Sequence, residues 1–270
     1  MDRQYHFIAG LPRSGSTLLS AILRQNPRFK ANMMSPVHGM AMGLINSWSA
    51  GKELAPLVNK NQKRRLIKSI FNQYHAAPDN VVFDSNRGWA EKLPLIDDLF
   101  PESKVICCVR NIAWVLDSFE KLYQQDPYEQ TRLFPSDSER STVYTRIRAL
   151  AGPSRVVGYA AQALKQAFYS ELSDKLIIVD FDALVQQPEK TIIKLYDLLG
   201  EDQYQHDFSD VSFQATTFDA NLGIPNLHTV RKIIKHTPRN SVLPPDLFQE
   251  FNGSNFWLQA SGSKAQFITL

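Results

Sequence analysis

Four short apolar runs, each trailed by a helical pattern, constrain this chain more than any other feature. Residues 5–9 precede a helical pattern at 17–25, and 81–84 precede one at 89–100; 104–109 lead into 113–123, and 175–180 into 189–199. Repeated units of this kind predict an α/β fold, a doubly wound and mainly parallel sheet flanked by helices. The runs are nearly continuous in apolar character, as strands covered on both faces must be. A length of 270 residues suits one such domain over 1–270. A further helical stretch at 154–172 leads back to the sheet, and beyond about residue 205 Pro225, Pro238, Pro244 and Pro245 break the pattern. An irregular, wrapping C-terminal segment is expected there. Ligands of such sheets sit beyond the carboxyl ends of the strands, which singles out residues 10–17, 84–87 and 110–111.

The first of these is a phosphate loop that has lost its lysine. In the form G-x-x-x-x-G-K-[ST], Gly10 and Gly15 hold the glycine positions and Thr17 the hydroxyl, but Ser16 stands where the lysine belongs. The cation has moved to Arg13. A strand feeding a turn and then a helix presents successive backbone N–H groups, so Ser14, Gly15, Ser16, Thr17 and Leu18 form a cradle for phosphate or sulfate. Without the lysine, a triphosphate is not the expected ligand.

A net charge of +3 and a pI near 8.8 imply no nucleic-acid-sized footprint. No apolar run approaches a membrane span, and the chain starts almost directly with a strand, so a cytoplasmic protein is expected. Cys107 and Cys108 are neighbours in a strand and must face opposite ways, which makes them core residues rather than a disulfide. No His, Cys or carboxylate spacing suggests a metal site. The basic run 60–68 reads as a solvated helix face, and the polar stretch 124–142 as a lid or surface loop.

After the strand 104–109 come Arg110 and, eight residues on, Ser118, less than two helical turns into the next helix. Together they suit a second phosphate, one by charge and one by a hydrogen bond. The combination resembles the sulfotransferases, which use 3′-phosphoadenosine 5′-phosphosulfate (PAPS) as donor. Pro12-Arg-Ser-Gly-Ser-Thr-Leu18 resembles their 5′-phosphosulfate loop and Arg110-Asn-Ile-Ala-Trp-Val-Leu-Asp-Ser118 their 3′-phosphate motif. Leu176-Ile-Ile-Val-Asp-Phe-Asp-Ala-Leu-Val-Gln-Gln-Pro188 is similar to their later strand and helix. Spanning roughly residues 5–200, the likeness is to bacterial sulfotransferases related to the tyrosylprotein enzymes. Leu227-His-Thr-Val-Arg-Lys-Ile-Ile is similar to their C-terminal nucleotide-contacting segment, which would add Arg231 and Lys232 to the donor site.

The resemblance implies a P-loop NTPase-like sulfotransferase fold and in-line transfer of a sulfonyl group to an acceptor oxygen or nitrogen, releasing adenosine 3′,5′-bisphosphate (PAP), with no metal. Arg13 and the loop N–H groups would stabilise the bridging oxygen. Neither family base, a histidine near residue 84 or a glutamate past the first helix, is present. Asp84, at a strand end, and His38, in the loop after the first helix, are the candidates for catalytic base. Arg87 would steady the sulfonyl oxygens or pair with Asp84. Met33, Met34, Met40 and Met42 offer an acceptor wall or core packing, and Trp89 or Trp114 an adenine stack or simple burial. A kinase using Asp180 or Asp182 for magnesium, or a non-catalytic nucleotide-binding protein, are the alternatives. Peptide, glycan, lipid and small phenol all stand as acceptors, and no sequence feature sets the oligomeric state.

Overall fold

A computed structural model of the protein describes residues 3–76, 81–125, 128, 133–222, 227–235, 240–259 and 261–270. From the N-terminus, β1 (Tyr5–Gly10) runs into α1 (Ser16–Leu23), β2 (Phe29–Ala31), α2 (Val37–Ser47), α3 (Lys60–Tyr74), β3 (Val81–Ser85) and α4 (Leu93–Leu99). Next come β4 (Val105–Val109), α5 (Ile112–Tyr123), α6 (Asp137–Arg140), α7 (Val143–Ala151), α8 (Val156–Phe168) and β5 (Leu176–Asp180). The remainder is α9 (Phe181–Gln186), α10 (Pro188–Leu199), α11 (Thr216–Leu222), α12 (Pro245–Asn252) and β6 (Gln266–Ile268).

The six strands form one sheet in the order β2-β3-β1-β4-β5-β6, and every pairing is parallel. All six residues of β1 are buried, because the strand lies inside the sheet and both faces are covered. In the sheet β1 has β3 on one side and β4 on the other, the place where connections diverge and a crevice opens over the carboxyl end of β1.

Strand alternation divides the core. Phe7, Ala9, Val105 and Cys107 face a layer containing Phe71, Trp89, Leu116 and Leu164; Ile8, Ile106 and Cys108 face Leu19, Ile22 and Leu195. Removing a side chain as large as Phe7 or Trp89 from such a core costs about 3–5 kcal/mol. The two cysteines therefore do point to opposite faces, and burial pushes the Cys108 thiol up to about 12 and that of Cys107 further.

Several elements depart from the sequence expectation. His38 lies not in a loop but in the first turn of α2, a helix that carries Gly39 and Gly43 and so reads poorly as one. The basic run sits on α3, where Lys60, Arg64 and Arg65 are exposed while Ile67 and Phe71 turn inward. The C-terminal segment is more regular than expected: it contributes α11, α12 and the outer strand β6, and buries Val211, Leu243, Leu247, Trp257 and Ile268. Pro245 opens α12, where a missing N–H is harmless, while Pro225 and Pro238 lie outside the described residues. Of the polar stretch 124–142, residues 126–127 and 129–132 also lie outside them. In the rest, the Ser136 hydroxyl caps α6 and Arg155 donates to the Leu133 carbonyl at 2.6 Å.

Candidate active site

The loop after β1 is shaped by three residues at positive φ. Gly10 (φ 99°) presses its Cα against the backbone of Cys108, leaving no room for a side chain, and the next amide, Leu11 N–H, donates to the Cys108 carbonyl at 2.9 Å. Arg13 (φ 59°) and Gly15 (φ 95°) turn the chain into α1. A Cβ on Gly15 would meet the side chains of Phe181 and Leu184 at 3.1 and 3.2 Å. α1 has neither a side-chain cap nor an acidic residue in its first turn. Its N-terminal amides, with Ser16, Thr17 and Leu18 on the wall, therefore face a cavity of about 1110 Å³ at the positive end of the helix. Ser14 differs: its side chain is buried, with Oγ donating to the Pro12 carbonyl at 3.3 Å.

Arg110 and Ser118 line the same cavity as the loop. β4 delivers Arg110, whose guanidinium lies 4.2 Å from the centre of the Phe181 ring, and Asn111 caps α5 by accepting the Ala113 N–H at 2.9 Å. Ser118 follows on α5. Arg13 joins them: its Nε donates to Ser118 Oγ at 3.1 Å and its Nη1 to the Leu227 carbonyl. Residues 105 positions apart thus share one hydrogen bond.

Residues 227–231 and 233–235 line the cavity, in a segment tied down where Val211 N–H donates to the Lys232 carbonyl at 2.8 Å. Arg231, Ile234 and Lys235 line the cavity; Lys232 does not, its ammonium lying 3.9 Å from Asp210 on the outside. Among the described lining residues Arg13, Arg87, Arg110, Arg231 and Lys235 stand against one carboxylate, Asp182. Its neighbour Asp180 caps α9, accepting the Asp182 N–H at 2.8 Å, and burial raises its pKa.

On the β3 side the geometry corrects two expectations. Asp84 faces the core rather than the cavity: one oxygen accepts from Ser35 Oγ (2.5 Å) and His75 Nε2 (2.7 Å), the other from Trp89 Nε1 (2.6 Å). Trp89 is likewise core, edge-on to Phe7 at 5.0 Å, whereas Trp114 lines the cavity and packs on Phe248. Arg87 does line the cavity. It makes no ion pair with Asp84 or with any other described residue, and burial lowers its pKa. His38 stands edge-on to Trp89 at 4.8 Å with Nε2 buried against Gly88; burial lowers its pKa too. Met33 and Met34 reach the cavity wall, while Met40 is exposed and Met42 packs on the core.

Two further wall residues, Tyr159 and His228, hold no candidate catalytic role in the sequence reading. Burial, with Glu91 beside it, pushes the Tyr159 phenol up to about 12. His228 also lines the cavity, and its Nδ1 lies 2.6 Å from Asp219 Oδ1. That carboxylate fixes the ring proton on Nδ1 and leaves Nε2 as the accessible nitrogen. Their nine-residue separation matches no motif; only the fold of the intervening chain brings them together.

A parallel α/β sheet carries here a glycine-turned loop and a cation-lined crevice at its strand ends, an arrangement suited to an anionic ligand. The chain belongs to the sulfotransferase family, whose model matches residues 6–206. Its fold is similar to the sulfotransferase domain from the curacin biosynthetic pathway (TM-score 0.57, 16% identity, covering 96% of this chain and 98% of that one). Also similar are a sulfotransferase from Alicyclobacillus acidocaldarius (0.52, 16%, 96% and 93%) and the sulfotransferase domain from the Synechococcus PCC 7002 olefin synthase (0.50, 18%, 92% and 93%). No curated protein sequence matches the chain. Among the described residues no helix is long and apolar enough to cross a membrane, and no group of three or more His, Cys, Asp or Glu is placed to hold a metal.

Proposed function

We propose that this protein transfers the sulfonyl group of PAPS to an acceptor hydroxyl, releasing PAP. The loop amides of residues 14–18 and Arg13 would hold the 5′-phosphosulfate, and Arg110 with Ser118 the 3′-phosphate. Arg231 and Lys235 extend the positive wall on the far side. Arg87, desolvated and without an ion-pair partner among the described residues, is suited to the sulfonyl oxygens, whose charge shifts as the bridging S–O bond breaks. As the acceptor O–S bond forms, the hydroxyl proton must leave. His228 Nε2 is the group assigned to take it, with Asp219 compensating the positive charge that develops on the ring. Asp84 has no part in this step, since its oxygens are engaged in the core, and His38 would shape the wall.

The observation that carries the reading is the Arg13–Ser118 hydrogen bond at 3.1 Å, which sets the two anion-binding elements in one cavity as a ligand with two anionic ends requires. The test is a calorimetric titration with PAP beside magnesium–ATP. Tight binding of PAP and little of ATP is expected; the reverse preference would replace this reading with a kinase.

A further inference from the structure

Phe181 belongs to neither anion-binding element yet touches both. The Arg110 guanidinium lies over its ring, 4.2 Å from the ring centre, and the ring edge stands so close to Gly15 that a Cβ there would meet it at 3.1 Å. The ring also lines the cavity. What holds it is the start of α9: Asp180 Oδ1 accepts the N–H groups of Asp182 (2.8 Å) and Ala183 (3.3 Å), and Thr191 Oγ1 donates to the Ala183 carbonyl at 3.0 Å. The Arg13–Ser118 hydrogen bond is another tie between the two elements, but of a different kind. Its groups are the ones assigned above to phosphates, so a bound nucleotide competes for them. The ring makes no polar demand and keeps its contacts when the site fills. Stacking engages the face of a guanidinium and leaves its N–H edge for an acceptor.

We propose that Phe181 is a positioning residue of the donor site: its ring fixes the distance between Arg110 and the loop, and thereby sets the preference for a phosphate on the 3′ rather than the 2′ oxygen of the ribose. The inference rests on the donor reading above. The 2′ and 3′ oxygens sit on adjacent carbons, so telling a phosphate on one from a phosphate on the other requires a cation that does not follow the phosphate. An arginine left to its many rotamers would follow it. One held over a ring that is itself wedged against Gly15 does not. An aliphatic side chain in place of the ring fills similar space without attracting the cation, which separates the electrostatic support from packing.

The experiment compares PAP, adenosine 2′,5′-bisphosphate and adenosine 5′-monophosphate by calorimetry on the whole protein and its variants. Failure of the unaltered protein to bind PAP overturns the donor reading itself. Where PAP binds, Phe181→Leu should weaken it about tenfold and narrow its advantage over the 2′,5′ isomer by about as much, while the monophosphate, which has no 3′-phosphate, loses about twofold at most. Phe181→Tyr keeps the ring and should stay within about twofold of the unaltered protein for all three. In an Arg110→Ala background the leucine substitution should weaken PAP little further, because the ring acts through the arginine it supports. Phe181 is half-buried and leucine keeps an apolar side chain beside Gly15, so the variant is compatible with folding. Four results would overturn the inference and leave the donor reading standing: no preference for PAP over its isomer in the unaltered protein, no loss or equal losses of PAP and the monophosphate in the leucine variant, a tyrosine variant as weak as the leucine one, or fully additive losses in the double variant.

Discussion

Asp219 holds His228 twice: Oδ2 accepts the backbone N–H at 2.9 Å, and Oδ1 accepts the ring Nδ1–H at 2.6 Å. The imidazole is thereby fixed in both position and tautomer on the cavity wall. If Nε2 takes the acceptor proton, His228→Gln should lower kcat by roughly 100-fold or more, the usual scale for general-base catalysis, and change PAP affinity little. Asp219→Asn should lower kcat less. A parallel loss of PAP affinity in both variants would instead make His228 a nucleotide ligand.

The Arg110 and Ser118 assignment separates two nucleotides. Charge-assisted hydrogen bonds contribute about 1.5–3 kcal/mol each, so Arg110→Ala should weaken PAP by at least tenfold. Adenosine 5′-monophosphate, which lacks the 3′-phosphate, should lose far less. Calorimetry on the same variant reads both, and equal losses would remove the residue from the 3′-phosphate site.

Asp84 is expected to matter for stability rather than for turnover. With three donors converging on a fully buried carboxylate, Asp84→Asn leaves at least one of them poorly matched and should cost about 2–4 kcal/mol of folding free energy. PAP affinity below the melting transition should persist. A variant with normal urea stability and no turnover would return Asp84 to the chemistry.

Stability should fall on mild acidification because of His6. Its Nδ1 accepts the Lys104 backbone N–H at 3.1 Å, and burial, then the Lys104 charge, lower its pKa from 6.5 to about 4. Between these values the unfolded chain binds a proton that the folded one does not, so stability rises with pH across the window and is lost as pH falls through it. The loss reaches roughly 3 kcal/mol by pH 4. His38 and His206, also lowered by burial, act in the same direction. Proton uptake on urea unfolding at pH 5.5 measures the effect, and the absence of uptake would contradict it.

The fold was readable where signals were local. Each buried strand announced itself as an apolar run, and the loop glycines, Arg110 and Ser118 lie at spacings fixed by a turn and a helix. Short edge elements were not: β2 and β6 have three residues each, too few for a periodicity. Asp84 shows a different limit. Its place at a strand end was evident, but which face it takes depends on register, and its neighbour Phe83 claims the opposite layer. The pairing of His228 with Asp219 depends on how the chain folds back between them, which no spacing rule encodes.

Cys107 and Cys108 lie side by side in β4 yet are shut beneath different helices, one under the layer of α5 and α8, the other under that of α1 and α10. A thiol reagent reaches the first only when one layer lifts and the second only when the other does. With one cysteine replaced at a time, labelling rates become two independent clocks for the breathing of the protein, read from adjacent residues of a single strand.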